Sequence, residues 1–279
     1  MDDAAPDLSG KSILVTGGSM GIGEVAARTC LEAGARVTIC ARGRAKLEAA
    51  AARFSAAGYA EAIASASIDV SDPAGVERAF DAACTRFGGV DGVIHAAAVL
   101  EPIGSILDVE PAAWLRTVEI DLYGTFLVTR AACARMRERG GRIVLFSGGG
   151  ASSAYPNFTA YACSKVAVVR FAESVATEMA AYRIEINALA PGLVATRMVE
   201  QTRRSGVAQP SGMTPVPPER GARAAAFLVS DAARGITGKF VAPSYDDYAR
   251  WPEHLDELSA TDVFTLRRIL PKERGMEWQ

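Results

Sequence analysis

Seven short apolar runs alternate with longer stretches in which apolar residues recur at helical spacing. The runs are Ser12–Thr16, Arg36–Ala41, Ala62–Ile68, Gly92–Ala96, Gly141–Ser147, Ile184–Leu189 and Lys239–Ala242. Most are apolar throughout, as expected of strands buried on both faces. The alanine-rich stretches Arg44–Ala57, Pro73–Phe87, Pro111–Arg139 and Ala160–Ala181 separate them and predict helices. Strict alternation of this kind predicts an α/β fold, a doubly wound parallel sheet with helices on both faces. Two regions break the rhythm. Thr196–Glu219 is rich in Pro, Gly, Ser and Arg, which predicts a lid or substrate loop. Residues 243–279 follow the last strand and read as a C-terminal extension, cap or arm, leaving 8–242 as a single domain.

Composition narrows the class. A chain of 279 residues buries one large core, and its net charge of −2 shows no basic stripe for nucleic acid. No apolar run is long enough to cross a bilayer, and Met1–Asp7 is acidic without the apolar stretch of a signal peptide. The five cysteines, Cys30, Cys40, Cys84, Cys133 and Cys163, are scattered without metal-type spacing. They predict reduced thiols, a cytoplasmic location and no metal site.

Candidate chemistry lies at two places. After the first strand the chain reads Thr16-Gly17-Gly18-Ser19-Met20-Gly21-Ile22-Gly23 and then turns helical. Such a turn presents free N–H groups and the positive end of a helix dipole, which suit a pyrophosphate. Glycines serve where the backbone turns tightly or meets phosphate, so Gly17, Ser19, Met20, Gly21, Ile22 and Gly23 are candidate cofactor contacts. The second strand ends in Cys40-Ala41-Arg42-Gly43-Arg44, with no acid to hold a ribose hydroxyl. Arg42 is a planar cation suited to a 2′-phosphate, so NADP is expected rather than NAD. Far downstream stand Tyr161 and Lys165, one helical turn apart. An ammonium there favours the phenolate and brings the tyrosine pKa from ~10 toward the working pH.

Together these residues resemble the short-chain dehydrogenase/reductase family, over about Leu8 to Ala242. Residues Thr16–Gly23 match the family's T-G-x-x-x-G-x-G loop, and Tyr161–Lys165 match its Y-x-x-x-K. Asp69 and Val70 match the pair beside adenine, and Ala96 and Ala97 lie where a strand end lines the cofactor. Asn187–Gly192 match the segment beside the nicotinamide, which adds Pro191, Gly192, Val194 and Thr196 as contacts. The resemblance implies a Rossmann-like fold in which Lys165 also bonds the nicotinamide ribose. It implies a homodimer or homotetramer joined by long helices.

The match fails at three places. His95-Ala96-Ala97-Ala98 stands for N-N-A-G, Asp121 for a catalytic asparagine, and Gly148 for the catalytic serine 13 residues before the tyrosine. Ser147 takes that serine's place only if the backbone bends, since neighbouring strand side chains point oppositely. Ser152 and Ser153 are further candidates. The expected activity is interconversion of a secondary alcohol and a ketone, with Tyr161, Lys165, Ser147 and Asp121 as catalytic residues. Gly148 and Asp121 keep two alternatives open, a non-redox lyase or isomerase and a redox-inactive NADP-binding protein. Tyr155, Pro156, Asn157 and Phe158 are expected along the substrate pocket, and Arg203 and Arg204 are candidates for an anionic group.

Overall fold

The structure is a computed structural model that describes residues 6–195, 197–207 and 214–277. Seven strands form one wholly parallel sheet: β1 (Ser12–Thr16), β2 (Arg36–Ala41), β3 (Ile63–Ser67), β4 (Gly92–His95), β5 (Gly141–Phe146), β6 (Ile184–Leu189) and β7 (Phe240–Val241). Their order is β3-β2-β1-β4-β5-β6-β7. The chain winds outward from β1 in one direction and from β4 in the other. A crevice therefore opens past the carboxyl ends of β1 and β4, where doubly wound sheets bind ligands. All five residues of β1 are buried, as expected for a central strand.

Helices cover both faces. On one face α1 (Gly21–Glu32) and α8 (Pro218–Leu228) pack Ala26, Leu31, Ala225 and Leu228 against Ile13, Val15 and Ile39. On the other, α3 (Pro73–Phe87), α5 (Gly124–Met136) and α6 (Thr159–Met179) pack Phe80, Val128 and Val168 against Leu14, Val93 and Ile143. Sequence signals act locally as expected. Asp72 caps α3 by accepting from the N–H groups of Ala74 and Gly75, with Pro73 at the first helical position.

The single helix expected over Pro111–Arg139 is interrupted. It runs as α4 (Pro111–Val118), a π-helical turn (Glu119–Tyr123), and then α5. The wider turn re-aims the chain so that Ile120 and Asp121 are buried. Gly124 lets the element approach the end of β3, since a Cβ there would lie 2.8 Å from Val70 Cγ2. The helix expected to Ala57 ends earlier, as α2 (Arg44–Phe54), and a turn with Gly58 at φ 98° follows. The irregular region holds α7 (Arg197–Arg204), then an isolated parallel bridge between Val194 and Val216.

Residues 243–277 lie along the same core rather than reaching away from it. Trp251 and Leu258, the latter in α9 (Leu255–Ala260), are buried in the α1/α8 side. Phe264 packs tilted against Trp251 at 4.3 Å between ring centroids. Its carbonyl accepts the Phe240 N–H at 2.7 Å, and Lys239 Nζ bonds the carbonyls of Thr261 and Val263. The tail thereby covers the free edge of β7.

Candidate active site

The crevice between β1 and β4 is a cleft of about 440 Å³. Its floor is the glycine loop. Gly17 has φ 69°, and a Cβ there would sit 2.9 Å from the backbone of Ala96 and Ala97. A Cβ on Gly23 would lie 2.4 Å from the Gly17 carbonyl oxygen. Only glycine at both positions lets the loop, the N-terminus of α1 and the end of β4 meet. Ser19, Met20, Gly21 and Ile22 line this floor, and Val70, Ala96 and Ala97 line the wall.

At the far end stand Arg42 and Lys46, with no carboxylate on the wall among the described residues. These two cations and the bare N–H loop fit a dinucleotide carrying an extra phosphate. Sequence reasoning missed Lys46. It sits in the first turn of α2, one turn beyond Arg42, and that spacing was the available signal.

Asp69 is placed differently from Val70. Its carboxylate accepts from the Ser71 N–H and hydroxyl and from Arg116 Nη2 at 2.7 Å. Burial pushes its pKa up, but these bonds and the Arg116 charge outweigh burial and hold it below the ordinary carboxylate value. Its side chain thus fixes the loop after β3, leaving Ile68 and Val70 on the wall.

A second cavity of about 120 Å³ adjoins the first and shares Ile22, Ala96 and Ala98 with it. Tyr161 and Lys165 project into it from α6, opposite Pro191, Gly192 and Val194. Leu100, Phe158 and Tyr161 form a small apolar cluster with Ile103, Tyr155 and Val207 around them. Leu193 and Thr202, which the sequence did not single out, complete the wall. Thr196 lies outside the described residues. Arg203 and Arg204 are exposed, and Arg204 pairs with Glu200 at 3.1 Å.

Lys165 is buried and held from three sides. Its Nζ donates to the Phe146 carbonyl at 3.1 Å, lies 3.7 Å from Asp121 Oδ2, and sits 5.4 Å from the Tyr161 ring centroid. Burial lowers its pKa, and the Asp121 charge pushes it back up. Asp121 is fully buried on the π-helical turn. Its Oδ1 accepts the Val99 N–H at 2.8 Å, while Oδ2 has no hydrogen-bond partner and faces Lys165 at ion-pair distance. Burial raises the Asp121 pKa to about 6, against the opposing pull of Lys165. The Tyr161 phenol, expected to fall toward the working pH, is instead pushed above its ordinary value, mostly by burial and then by the Asp121 charge.

His95 is a packed strand-end residue. It shares a hydrogen bond at 2.8 Å between its Nδ1 and Thr16 Oγ1, and Thr16 Oγ1 also accepts the Ala97 N–H. Burial, with a smaller contribution from Lys165, lowers its pKa to about 3, so the ring is neutral. Its Nε2 is buried without a partner.

Ser147 is at the cavity wall, but its hydroxyl donates to the Lys165 carbonyl at 2.8 Å. The next residue explains the local geometry. A Cβ on Gly148 would lie 2.4 Å from Tyr161 Oη, so the tyrosine hydroxyl occupies the space a residue-148 side chain would take. Ser152 and Ser153 are exposed and off the cavity wall. Among the described residues no cluster of His, Cys, Asp or Glu is arranged for a metal.

Comparison with known proteins agrees with this geometry. Residues 17–242 match the family model described as enoyl-(acyl carrier protein) reductase. The L-rhamnose 1-dehydrogenase (NAD(P)(+)) of Azotobacter vinelandii is 33% identical over 239 residues, covering 82% of this chain and 93% of the relative. A variant of actinorhodin polyketide ketoreductase solved with NADPH superposes with a TM-score of 0.77 at 29% identity, covering 83% of this chain and 95% of the other. The gluconate 5-dehydrogenase of Burkholderia cenocepacia J2315, solved with NADP and tartrate, gives 0.77 at 28% identity, over 87% of this chain and 96% of the other. With its seven-stranded parallel sheet, glycine loop and Tyr161/Lys165 pair, the chain belongs to the short-chain dehydrogenase/reductase family.

Proposed function

We propose that the protein is an NADP-dependent oxidoreductase that interconverts a secondary alcohol and a ketone, with residues 8–242 as the catalytic unit. One observation carries this reading. Tyr161 and Lys165 share a small cavity that opens onto the glycine-loop cleft, whose far end holds Arg42 and Lys46. Relatives named as dehydrogenases, and neighbours solved with NADPH or NADP, support it.

The nicotinamide supplies or accepts the hydride when bound. The chain's own residues do the rest. The loop N–H groups and the N-terminus of α1 take the pyrophosphate, and Arg42 and Lys46 take the extra phosphate. Tyr161 gives its hydroxyl proton to the carbonyl oxygen in reduction and takes it back in oxidation. Lys165, held by the Phe146 carbonyl and Asp121, places a positive charge 5.4 Å from the centre of the Tyr161 ring, which works against the burial and the Asp121 charge that keep the phenol protonated. Asp121 does in charge what an asparagine does with a neutral amide: it anchors the Val99 backbone and faces the ammonium. The substrate cavity carries only Lys165 as a charged side chain among the described residues, so it suits an uncharged carbonyl.

Gly148 and Asp121 favour one second reading, acid–base chemistry without hydride transfer on the same site. One experiment separates the two. The protein is assayed with NADPH and with NADH against ethyl 3-oxobutanoate and cyclohexanone, beside Tyr161→Phe. The expected result is oxidation of NADPH in preference to NADH, with turnover lost by about 10²–10⁴-fold in the variant while NADPH still binds. Binding of NADPH without carbonyl reduction by the wild type rejects the redox reading.

A further inference from the structure

Reduction of a carbonyl is fastest when a second donor meets the developing negative oxygen, and here position 148 carries no side chain to supply it. Resting on the oxidoreductase reading, we infer that Tyr155 donates this second hydrogen bond to the substrate oxygen, in place of the absent serine.

Five observations support it. Tyr155 and Tyr161 line the same cavity. The Tyr155 ring lies across the bare glycine turn: a Cβ on Gly149 would be 3.4 Å from its Cζ and 3.7 Å from its hydroxyl oxygen. The ring is fixed from the other side by Phe158, stacked at 4.5 Å and 22° and itself fully buried. A phenol held this way needs little ordering when substrate arrives. Among the described residues its hydroxyl makes no hydrogen bond, so the proton is available. The Tyr155 hydroxyl is also close enough to Tyr161 to add to the rise in that phenol's pKa.

The rival donors are committed elsewhere. Ser147 gives its proton to the Lys165 carbonyl, Ser152 and Ser153 are off the cavity, and Thr202 is already engaged with a neighbour. The run Gly148-Gly149-Gly150 passes close to both tyrosines. Its first residue makes room for the Tyr161 hydroxyl, its second lies in van der Waals contact with the Tyr155 ring, and its third, at φ 87°, leaves room for Ala162 and the Tyr155 Cβ. In the step itself the carbonyl carbon gains the hydride of NADPH and its oxygen gains the Tyr161 proton. The products are the alcohol and NADP⁺, and Tyr155 keeps its own proton throughout.

The test is Tyr155→Phe, which retains the ring on Phe158 and removes only the hydroxyl, assayed with NADPH and ethyl 3-oxobutanoate. Loss of one such donor elsewhere lowers kcat about 10²–10³-fold. A loss of that size is expected here, with NADPH affinity and KM little changed. The isotope effect on kcat with 4-deuterated NADPH is expected to rise as hydride transfer becomes limiting. A change in packing alone would raise KM and leave the isotope effect where it was. Tyr155→His, which keeps a ring and a donor, is expected to recover part of the loss. Wild-type kcat in Tyr155→Phe overturns the inference and leaves the oxidoreductase reading intact. A wild type that binds NADPH but reduces no carbonyl overturns both.

Discussion

At the scale of single residues, the unusual feature is a second buried charge. Asp121, Lys165 and Tyr161 lie together under the cavity, with neutral His95 nearby and Arg42 at longer range. In alcohol oxidation Tyr161 must be deprotonated to act as base. The Asp121 charge opposes that ionisation, as does burial. Asparagine at 121 keeps an oxygen for the Val99 N–H and removes the charge. We therefore expect Asp121→Asn to move the acidic limb of kcat/KM for alcohol oxidation to lower pH. An unmoved limb, followed with any secondary alcohol the enzyme oxidises, would show that Asp121 does not reach the phenol. Stability carries the same signature. The carboxyl is raised to about 6 in the fold and titrates near ~3.9 when unfolded. The folded state holds the proton more tightly, so between these values stability falls as pH rises. Melting temperatures across that window should lose the Asp121 part of the slope in the variant.

At the scale of elements, the glycine loop was readable because its function is steric and local. The spacing of Gly17, Gly21 and Gly23 states where the backbone closes up; the structure closes up at Gly17 and Gly23 and gives Gly21 a φ of 60°. Gly23→Ala would drive a methyl to 2.4 Å from a backbone carbonyl that has no room to retreat. Overpacking of this kind costs about 1–3 kcal/mol. The expected outcome is a lowered denaturation midpoint together with at least a tenfold weaker NADPH affinity by fluorescence titration. A variant as stable and as tight-binding as the wild type would remove the loop's packing role. The strands and the ends of α3 were equally legible, from apolar runs and from Asp72 and Pro73. The π-helical turn was not. Residues 111–139 show unbroken helical periodicity, and one extra residue in a turn leaves no mark on composition. Nor was the direction of the Ser147 hydroxyl legible, since it depends on how β5 meets α6. The same holds for Tyr155, whose place over Gly149 comes from contact across the turn.

At the scale of the whole molecule, the exposed apolar surface is uneven. Leu115 on α4, Tyr123 at the end of the π-helical turn, Phe126 at the start of α5, and Val166 on α6 are 54%, 43%, 41% and 37% exposed. Tyr123 and Phe126 stack on each other at 6.0 Å, and α4 and the π-helical turn both pack against α6. These residues thus belong to adjoining elements, and apolar area of this kind favours burial against a partner. At the opposite end of the sheet the Phe240 N–H is already taken by the Phe264 carbonyl, and Trp251 and Leu258 pin the tail in place, although the tail itself exposes Val263, Ile269 and Met276. The stacked Tyr123/Phe126 pair with Leu115 and Val166 beside it is the patch we propose for association, and a symmetric pair of chains uses the same patch twice. Light scattering of the wild type should give the mass of two chains or a multiple of two. Phe126→Glu places a charge at the patch, far from β7, and should reduce the assembly toward single chains at the same concentration. The fold is expected to survive, because the residue is already 41% exposed. A wild type that scatters as one chain removes the helix-paired dimer. An assembly that withstands Phe126→Glu but dissociates with Ile269→Glu, at an exposed residue of the tail, would instead place the contact on the tail that covers β7.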